Sequence, residues 1–174
     1  IAPFTPSLGM DWSFWKKENQ SLLFKTSLGK GFKIPTLNDR FWNPGGNPDL
    51  IPEESLSGEV GMVWERSGKV NWEQSLTHFR MNVSNWIIWL PQGNIWSPEN
   101  IREVRNRGFE YQGSLSGAIS GWDWAMSTSY TYTQAVTLNT VSGTDTSVGK
   151  QLPYTPLHQA NGKLQFQKND LRWF

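Results

Sequence analysis

Polar and apolar residues alternate one for one along most of the chain, the pattern of β-strands with two unlike faces. Leu8, Met10, Trp12 and Phe14 fall on one side, with Gly9, Asp11 and Ser13 between them. Leu22, Phe24, Thr26 and Leu28 repeat the arrangement, and Leu56, Val60, Met62 and Trp64 give a third set. A fourth segment, about Val70 to Leu90, opens with Val70, Trp72 and Leu76 on one face and then shows Phe79, Met81 and Val83 on the other. That change of face predicts a bulge near His78. Phe109, Tyr111, Leu115 and Ile119 make a fifth set, and Trp122, Trp124, Met126, Tyr130 and Tyr132 a sixth. Ala160, Gly162, Leu164 and Phe166 make a seventh, and another strand begins at Leu171. The expected fold is all-β, with about eight antiparallel up-and-down strands.

The connections alternate in length. Asn19-Gln20, Ser67-Gly68-Lys69, Ser120-Gly121 and Asn169-Asp170 read as tight hairpin turns. Between them, Ile34 to Glu54, Pro91 to Glu99 and Asn139 to Leu152 read as long connections rich in Pro, Gly and Asn. A sandwich has no reason to keep all its short turns at one end, whereas an outer-membrane barrel has short turns on one side and long loops on the other. The tryptophans follow the same division, as amphipathic rings at two membrane interfaces should. Trp12, Trp15, Trp64, Trp72, Trp122, Trp124 and Trp173 lie near short turns, and Trp42, Trp86, Trp89 and Trp96 near or in long ones. Trp122 and Tyr132 share a face, and at about 3.3 Å per residue and a tilt near 40° they stand roughly 25 Å apart along the membrane normal. That is the height of a barrel's apolar band.

Composition narrows the possibilities further. The 174 residues suit one unit, 1–174, and 16 basic against 15 acidic residues leave no basic stripe for nucleic acid. Cysteine is absent, which removes disulfides, thiolate metal sites and thiol nucleophiles. The longest apolar run, Trp86 to Leu90, is far short of a membrane helix. Ile1 to Pro6 shows no secretory leader, so the leader has been removed or the chain begins in mid-protein. His78 and His158 have no metal-ligand spacing, and Glu53-Glu54 point to opposite faces of an extended chain, marking the solvated start of a strand. Gly29-x-Gly31 is not followed by a helix, so it is no phosphate cradle. No enzyme activity, catalytic residue, metal or cofactor is expected.

Ser27 to Trp42, which contains Gly29-Lys30-Gly31-Phe32, and the following Pro44 to Glu53, which contains Asn47-Pro48-Asp49-Leu50-Ile51-Pro52-Glu53, are similar to a signature strand, loop and returning strand of the TonB-dependent outer-membrane receptor barrels. Val104-Arg105-Asn106-Arg107-Gly108-Phe109-Glu110 resembles the family's Arg-Gly-x-Glu strand, and Tyr154 to Asn161 a strand descending from an extracellular loop. Pro35, Pro44, Pro48 and Pro52 cannot donate to a ladder and so end pairing, while Asn47 and Asp49 can fix turns through their own backbone.

The resemblance implies a part of a transmembrane barrel in the outer membrane of a Gram-negative bacterium, contacting outer-membrane lipid. An intact receptor of this kind resembles a roughly 22-stranded barrel filled by a plug. Because the strand after Leu171 stops short of the roughly 9 to 11 residues a crossing needs, the chain reads as an incomplete barrel lacking the plug, with open edges that favour aggregation outside detergent. The implied partners are the plug, the TonB energy-coupling complex and a large scarce nutrient: iron-siderophore, cobalamin or an oligosaccharide. Candidate ligand contacts in the extracellular loops are Arg40, Phe41, Trp42, Gln92, Asn94 and Trp96, against the plainer reading of a loop folded on its own side chains. Arg105, Arg107 and Glu110 are the expected plug-facing residues, the alternative being a charged wall wetted by the lumen. Two other folds compete: a soluble Trp-rich β-sandwich that binds carbohydrate, and a small complete eight-stranded barrel.

Overall fold

The computed structural model describes residues 3–139 and 145–173, apart from the side chain of Ile101. It is one antiparallel sheet in which each strand pairs with the next in sequence, in the order β1 to β8. The strands are β1 Ser7–Lys17, β2 Gln20–Lys33, β3 Glu53–Arg66, β4 Val70–Gln92, β5 Ile95–Ile119, β6 Trp122–Thr137, β7 His158–Lys168 and β8 Leu171–Trp173, with a short helix α1, Leu37–Phe41, between β2 and β3. Strand directions and short turns agree with the alternation in the sequence, except that the first turn is Glu18-Asn19, with Gln20 already in β2 and paired with Lys17. At Ser120-Gly121 both residues have positive φ (51° and 78°), the geometry of a two-residue turn matched to strand twist.

Register sorts the side chains into two faces. One row runs Thr26, Val60, His78, Phe109, Tyr132, His158 across β2 to β7, and a parallel row joins Phe24, Met62, Leu76, Tyr111, Tyr130 and Ala160. The opposite face carries Ser27, Glu59, Ser114, Ser127, Lys163 and similar polar groups. The apolar face is uncovered: Leu8, Met10, Trp12, Met62, Leu76, Phe109, Met126, Tyr130, Leu164 and Trp173 are all exposed. A soluble sandwich would bury this face against a second sheet, and no second sheet packs here among the described residues. In water each such side chain would forgo about 1.5–3 kcal/mol of burial free energy, so the face needs an apolar surrounding. Nor is the sheet a closed eight-stranded barrel, because β1 and β8 are not paired with each other.

Two sequence-based expectations are corrected. Pairing runs without a break from Trp72 to Ser84, so there is no bulge at His78. Phe79, Met81 and Val83 simply occupy the polar face, where Phe79 lies over Gly108; a Cβ at Gly108 would come within 2.8 Å of its ring. The irregularities are instead at Val83 to Ile87, around Asn85 at φ 56°, and in β1 between Ser13 and Trp15. The second one keeps Trp15 on the apolar side, opposite Leu22. Pro91 to Glu99 is likewise no long connection: β4 and β5 meet at the tight Gly93-Asn94 turn, making strands of 23 and 25 residues. Pro98 stays in register opposite Trp89, so the prolines remove single donors without ending the ladder. The expected connection Asn139 to Leu152 falls in part on residues 140–144, and Ile1 and Phe174 fall wholly, outside the described residues.

A crossing strand needs roughly 9 to 11 residues, so β4 and β5 extend well past the apolar band at the long-loop end. What burial the sheet has is concentrated there, in Leu50, Val104, Ala135, Val136 and Thr137.

Candidate functional site at the long-loop end

The segment between β2 and β3 is folded by its own short-range chemistry. Thr36 caps α1 by accepting from the Asp39 backbone N–H at 3.1 Å, and the Asp39 carboxylate accepts from the Thr36 N–H at 2.8 Å, a reciprocal capping box. The other Asp39 oxygen accepts from the indole Nε1 of Trp89 at 3.1 Å, which fastens α1 to β4. Burial alone would raise the Asp39 pKa, but the hydrogen bonds from the Thr36 side chain and backbone and from Trp89, with the charge of Lys33, outweigh it and hold the carboxyl below its ordinary value of 3.8.

The rest of the loop is clamped onto β5. Asn100 accepts from the Ile51 N–H at 2.9 Å and donates to the Ile51 carbonyl at 2.9 Å and the Asn85 carbonyl at 2.7 Å. Asn47 donates to the Pro98 carbonyl at 3.1 Å while accepting from the Asp49 N–H at 3.0 Å. Gly45, at φ 117°, lies so close to β5 that a Cβ would sit 2.1 Å from the Trp96 carbonyl oxygen. Glu53 accepts from the Ile87 N–H at 3.1 Å and from Lys33 at 3.4 Å. The irregular stretch of β4 therefore has a use: it turns the Asn85 carbonyl and Ile87 N–H outward to the loop. Glu53 is buried, not the solvated residue the sequence suggests, whereas Glu54 on the opposite face pairs with Lys30 at 2.7 Å.

The connection from β6 to β7 is fixed by a largely buried charge pair. Arg102 donates to Asp145 at 3.3 Å and to the Ser147 hydroxyl at 2.9 Å. Gln151 ties this segment to β6 by accepting from the Ala135 N–H at 3.1 Å and donating to the Thr133 carbonyl at 3.0 Å.

The six candidate ligand contacts separate into two groups on this framework. Arg40 donates to the Leu50 carbonyl at 2.9 Å, and Gln92 bonds Glu99 across the hairpin, so both serve the loops themselves. Phe41, Trp42 and Trp96 are 65%, 56% and 59% exposed, and Asn94 is exposed in the hairpin turn. Gly45 against Trp96 brings the Trp42 segment onto the same strand as the Trp96 ring. Nothing in the sequence marks Asn100 or Glu53 as organisers, since each acts on partners distant in the chain; Asp39 has the local Thr36-x-x-Asp39 capping spacing, but its bond to Trp89 fifty residues on has no local signal.

Arg105, Arg107 and Glu110 do not share a surface. Arg107 pairs opposite Gln134, to which its Nε donates at 2.8 Å, on the side of Phe109 and Tyr132. Glu110 pairs opposite Thr131 on the polar side. Odd and even positions of a strand point apart, so the expectation that all three face one interior fails for the two arginines. On the polar side Glu110, Glu59, Phe79, Asn106, Thr131 and Gln159 line a groove of 390 Å³ that crosses β3 to β7, which gives that face its concavity.

Residues 2–174 match the family model described as TonB dependent receptor-like, beta-barrel. The chain is 38% identical over 91 residues to a protein of Vibrio vulnificus strain YJ016 named vitamin B12 transporter BtuB, a match covering 51% of this chain and 14% of that protein. A protein of the same name from Photobacterium profundum is 33% identical over 94 residues, covering 51% of this chain and 15% of the relative. The chain therefore matches only about one-seventh of the length of these curated relatives.

Proposed function

Given that this chain belongs to the TonB-dependent receptor β-barrel family, we propose that it forms part of the wall of an outer-membrane receptor that imports a large nutrient with TonB-coupled energy, and that the nutrient is cobalamin. The observation that carries the membrane role is the uncovered apolar face, continuous across the sheet and opposed by a polar, grooved one. In this reading lipid covers the first face and the second lines the lumen, where Glu110 and Glu59 approach the plug.

The choice of cobalamin rests on the names of the similar proteins. The loop geometry supports a large ligand with flat and polar parts. Phe41, Trp42 and Trp96 present rings to solvent on a backbone held by Asn100, Asn47 and Asp39, so they lose little freedom on contact. Arg40 and Gln92 position the loops, and Asn94 is left as a polar contact at the hairpin tip.

The test is a titration of the chain, folded in neutral detergent, with cyanocobalamin, a ferric siderophore and an oligosaccharide, following tryptophan emission. Saturable quenching by cyanocobalamin that is lost in Trp42→Ala and Trp96→Ala supports the reading. Saturable binding of the siderophore or oligosaccharide alone would replace the nutrient, and no saturable response to any of the three would remove the site.

A further inference from the structure

Three arginines stand on the apolar side of the sheet, just past its upper ring of aromatics. Arg80 of β4 lies directly opposite Arg107 of β5, and in the next row Asn82 lies opposite Arg105. Directly opposed like charges on neighbouring strands destabilise a sheet unless something neutralises them. No carboxylate does so among the described residues, where the ion pairs are Lys30–Glu54, Lys33–Glu53 and Arg102–Asp145. Lys30, on the same face, shows what a neutralised cation looks like there. Glu103 shares the face two positions beyond Arg105, but its carboxylate makes no ion pair with the three.

Their existing bonds leave the ends of the guanidinium groups uncommitted. Arg107 uses its Nε on Gln134 at 2.8 Å and Arg80 its Nε on Asn82 at 3.5 Å, while the Nε of Arg105 is shut from solvent with no partner. One row nearer the membrane centre is an aromatic belt: His78 against Phe109 at 4.8 Å, Tyr132 against His158 at 5.2 Å, and the Tyr130 hydroxyl bonded to His158 Nδ1 at 2.8 Å. Arg107 is two residues past Phe109, about 5 Å further along the membrane normal, which is head-group depth if the belt marks the interface.

We propose that Arg80, Arg105 and Arg107 form a site for the phosphate groups of anionic lipid in the leaflet at the long-loop end. Guanidinium groups match phosphate oxygens with paired donors, and the lipid supplies the counter-charge that the protein lacks. This rests on the membrane reading above and goes beyond it, because an apolar belt alone selects no head group.

The test uses the full chain folded in zwitterionic micelles, with lipid adducts counted by native mass spectrometry. Phosphatidic acid is compared with phosphatidylcholine for the natural chain, for Arg80→Gln/Arg105→Gln/Arg107→Gln, for the matching triple lysine variant and for Lys30→Gln. Retention of phosphatidic acid should fall about a hundredfold in the triple glutamine variant, taking roughly fivefold per basic group near an anionic surface. The lysine variant should recover part of it, and Lys30→Gln should leave it unchanged. Equal retention in the natural and triple glutamine chains, or an equal loss with Lys30→Gln, overturns the proposal, and so does displacement of the lipid by an equal concentration of inorganic phosphate. A parallel measurement of tryptophan quenching by tail-brominated lipid keeps the two readings apart. Quenching without head-group selectivity sinks the phosphate site alone, and no quenching sinks the membrane reading beneath it.

Discussion

Trp89 donates its indole N–H to the Asp39 carboxylate at 3.1 Å, joining the upper part of the β4–β5 hairpin to the first turn of α1. Asp39 thus serves as helix cap and as interloop anchor with the two oxygens of one group. Its pKa is lowered in the folded chain, so ionised Asp39 contributes stability above the unfolded value, and that contribution is lost as pH falls through the folded one. The α1 loop should therefore keep its structure through mildly acidic solution and loosen only below pH 3.8. Asp39→Asn should abolish this acid transition and weaken the loop at neutral pH by about 1 kcal/mol, the scale of a lost cap. Hydrogen exchange of the 36–42 amides against pH checks both.

Asn100 holds Ile51 through both backbone groups and Asn85 through its carbonyl. Asn100→Ala should release the loop and leave three backbone groups without that partner, costing about 1–3 kcal/mol for each one that stays dry. Limited proteolysis should then cut between Trp42 and Pro52 in the variant and spare the natural chain. Asn100→Asp should also fail, since a carboxylate cannot donate to the Ile51 and Asn85 carbonyls.

Gly108 is where a side chain has no room: a Cβ would lie 1.8 Å from the Tyr132 carbonyl oxygen, inside the β5–β6 ladder. Gly108→Ala should part the two strands locally and cost more than about 2 kcal/mol, the range in which backbone effects dominate. Gly93→Ala, at the hairpin turn with open space around it, should cost only the penalty of its positive φ, about 1 kcal/mol. Urea denaturation in detergent ranks the two, and an equal loss would contradict the register.

The two faces make opposite demands on charge. Met126→Arg would place a cation in the apolar band and should cost about 2–4 kcal/mol in a bilayer, whereas Ser127→Arg, one residue on, should be tolerated within about 1 kcal/mol. Folding yield into phospholipid vesicles measures the difference.

The strands and their order can be read from sequence because period-two alternation and turn residues are local signals. Gly93-Asn94 is hard to recognise as a hairpin turn because Pro91 and Pro98 surround it with loop-like composition, yet both fit the ladder. The change of face from Leu76 to Phe79 imitates a bulge. It reflects instead a ring covering Gly108, a cross-strand relation no single segment can reveal. At the site, Phe41, Trp42 and Trp96 can be picked out by type and position, while Asn100 and Glu53 owe their roles to partners between 15 and 49 residues away. The motif groups Arg105 and Arg107 with Glu110, and simple alternation along β5 separates them.

Because the chain contains no cysteine, single cysteines can be placed along β6 without background and labelled with a membrane-impermeant maleimide after folding into lipid. Cysteine at Met126, Thr128 and Tyr130 should be protected, and cysteine at Ala125, Ser127 and Ser129 should react, giving a period of two. Uniform labelling, or protection of the second set and reaction of the first, would contradict a sheet with lipid on its aromatic side and water on the other.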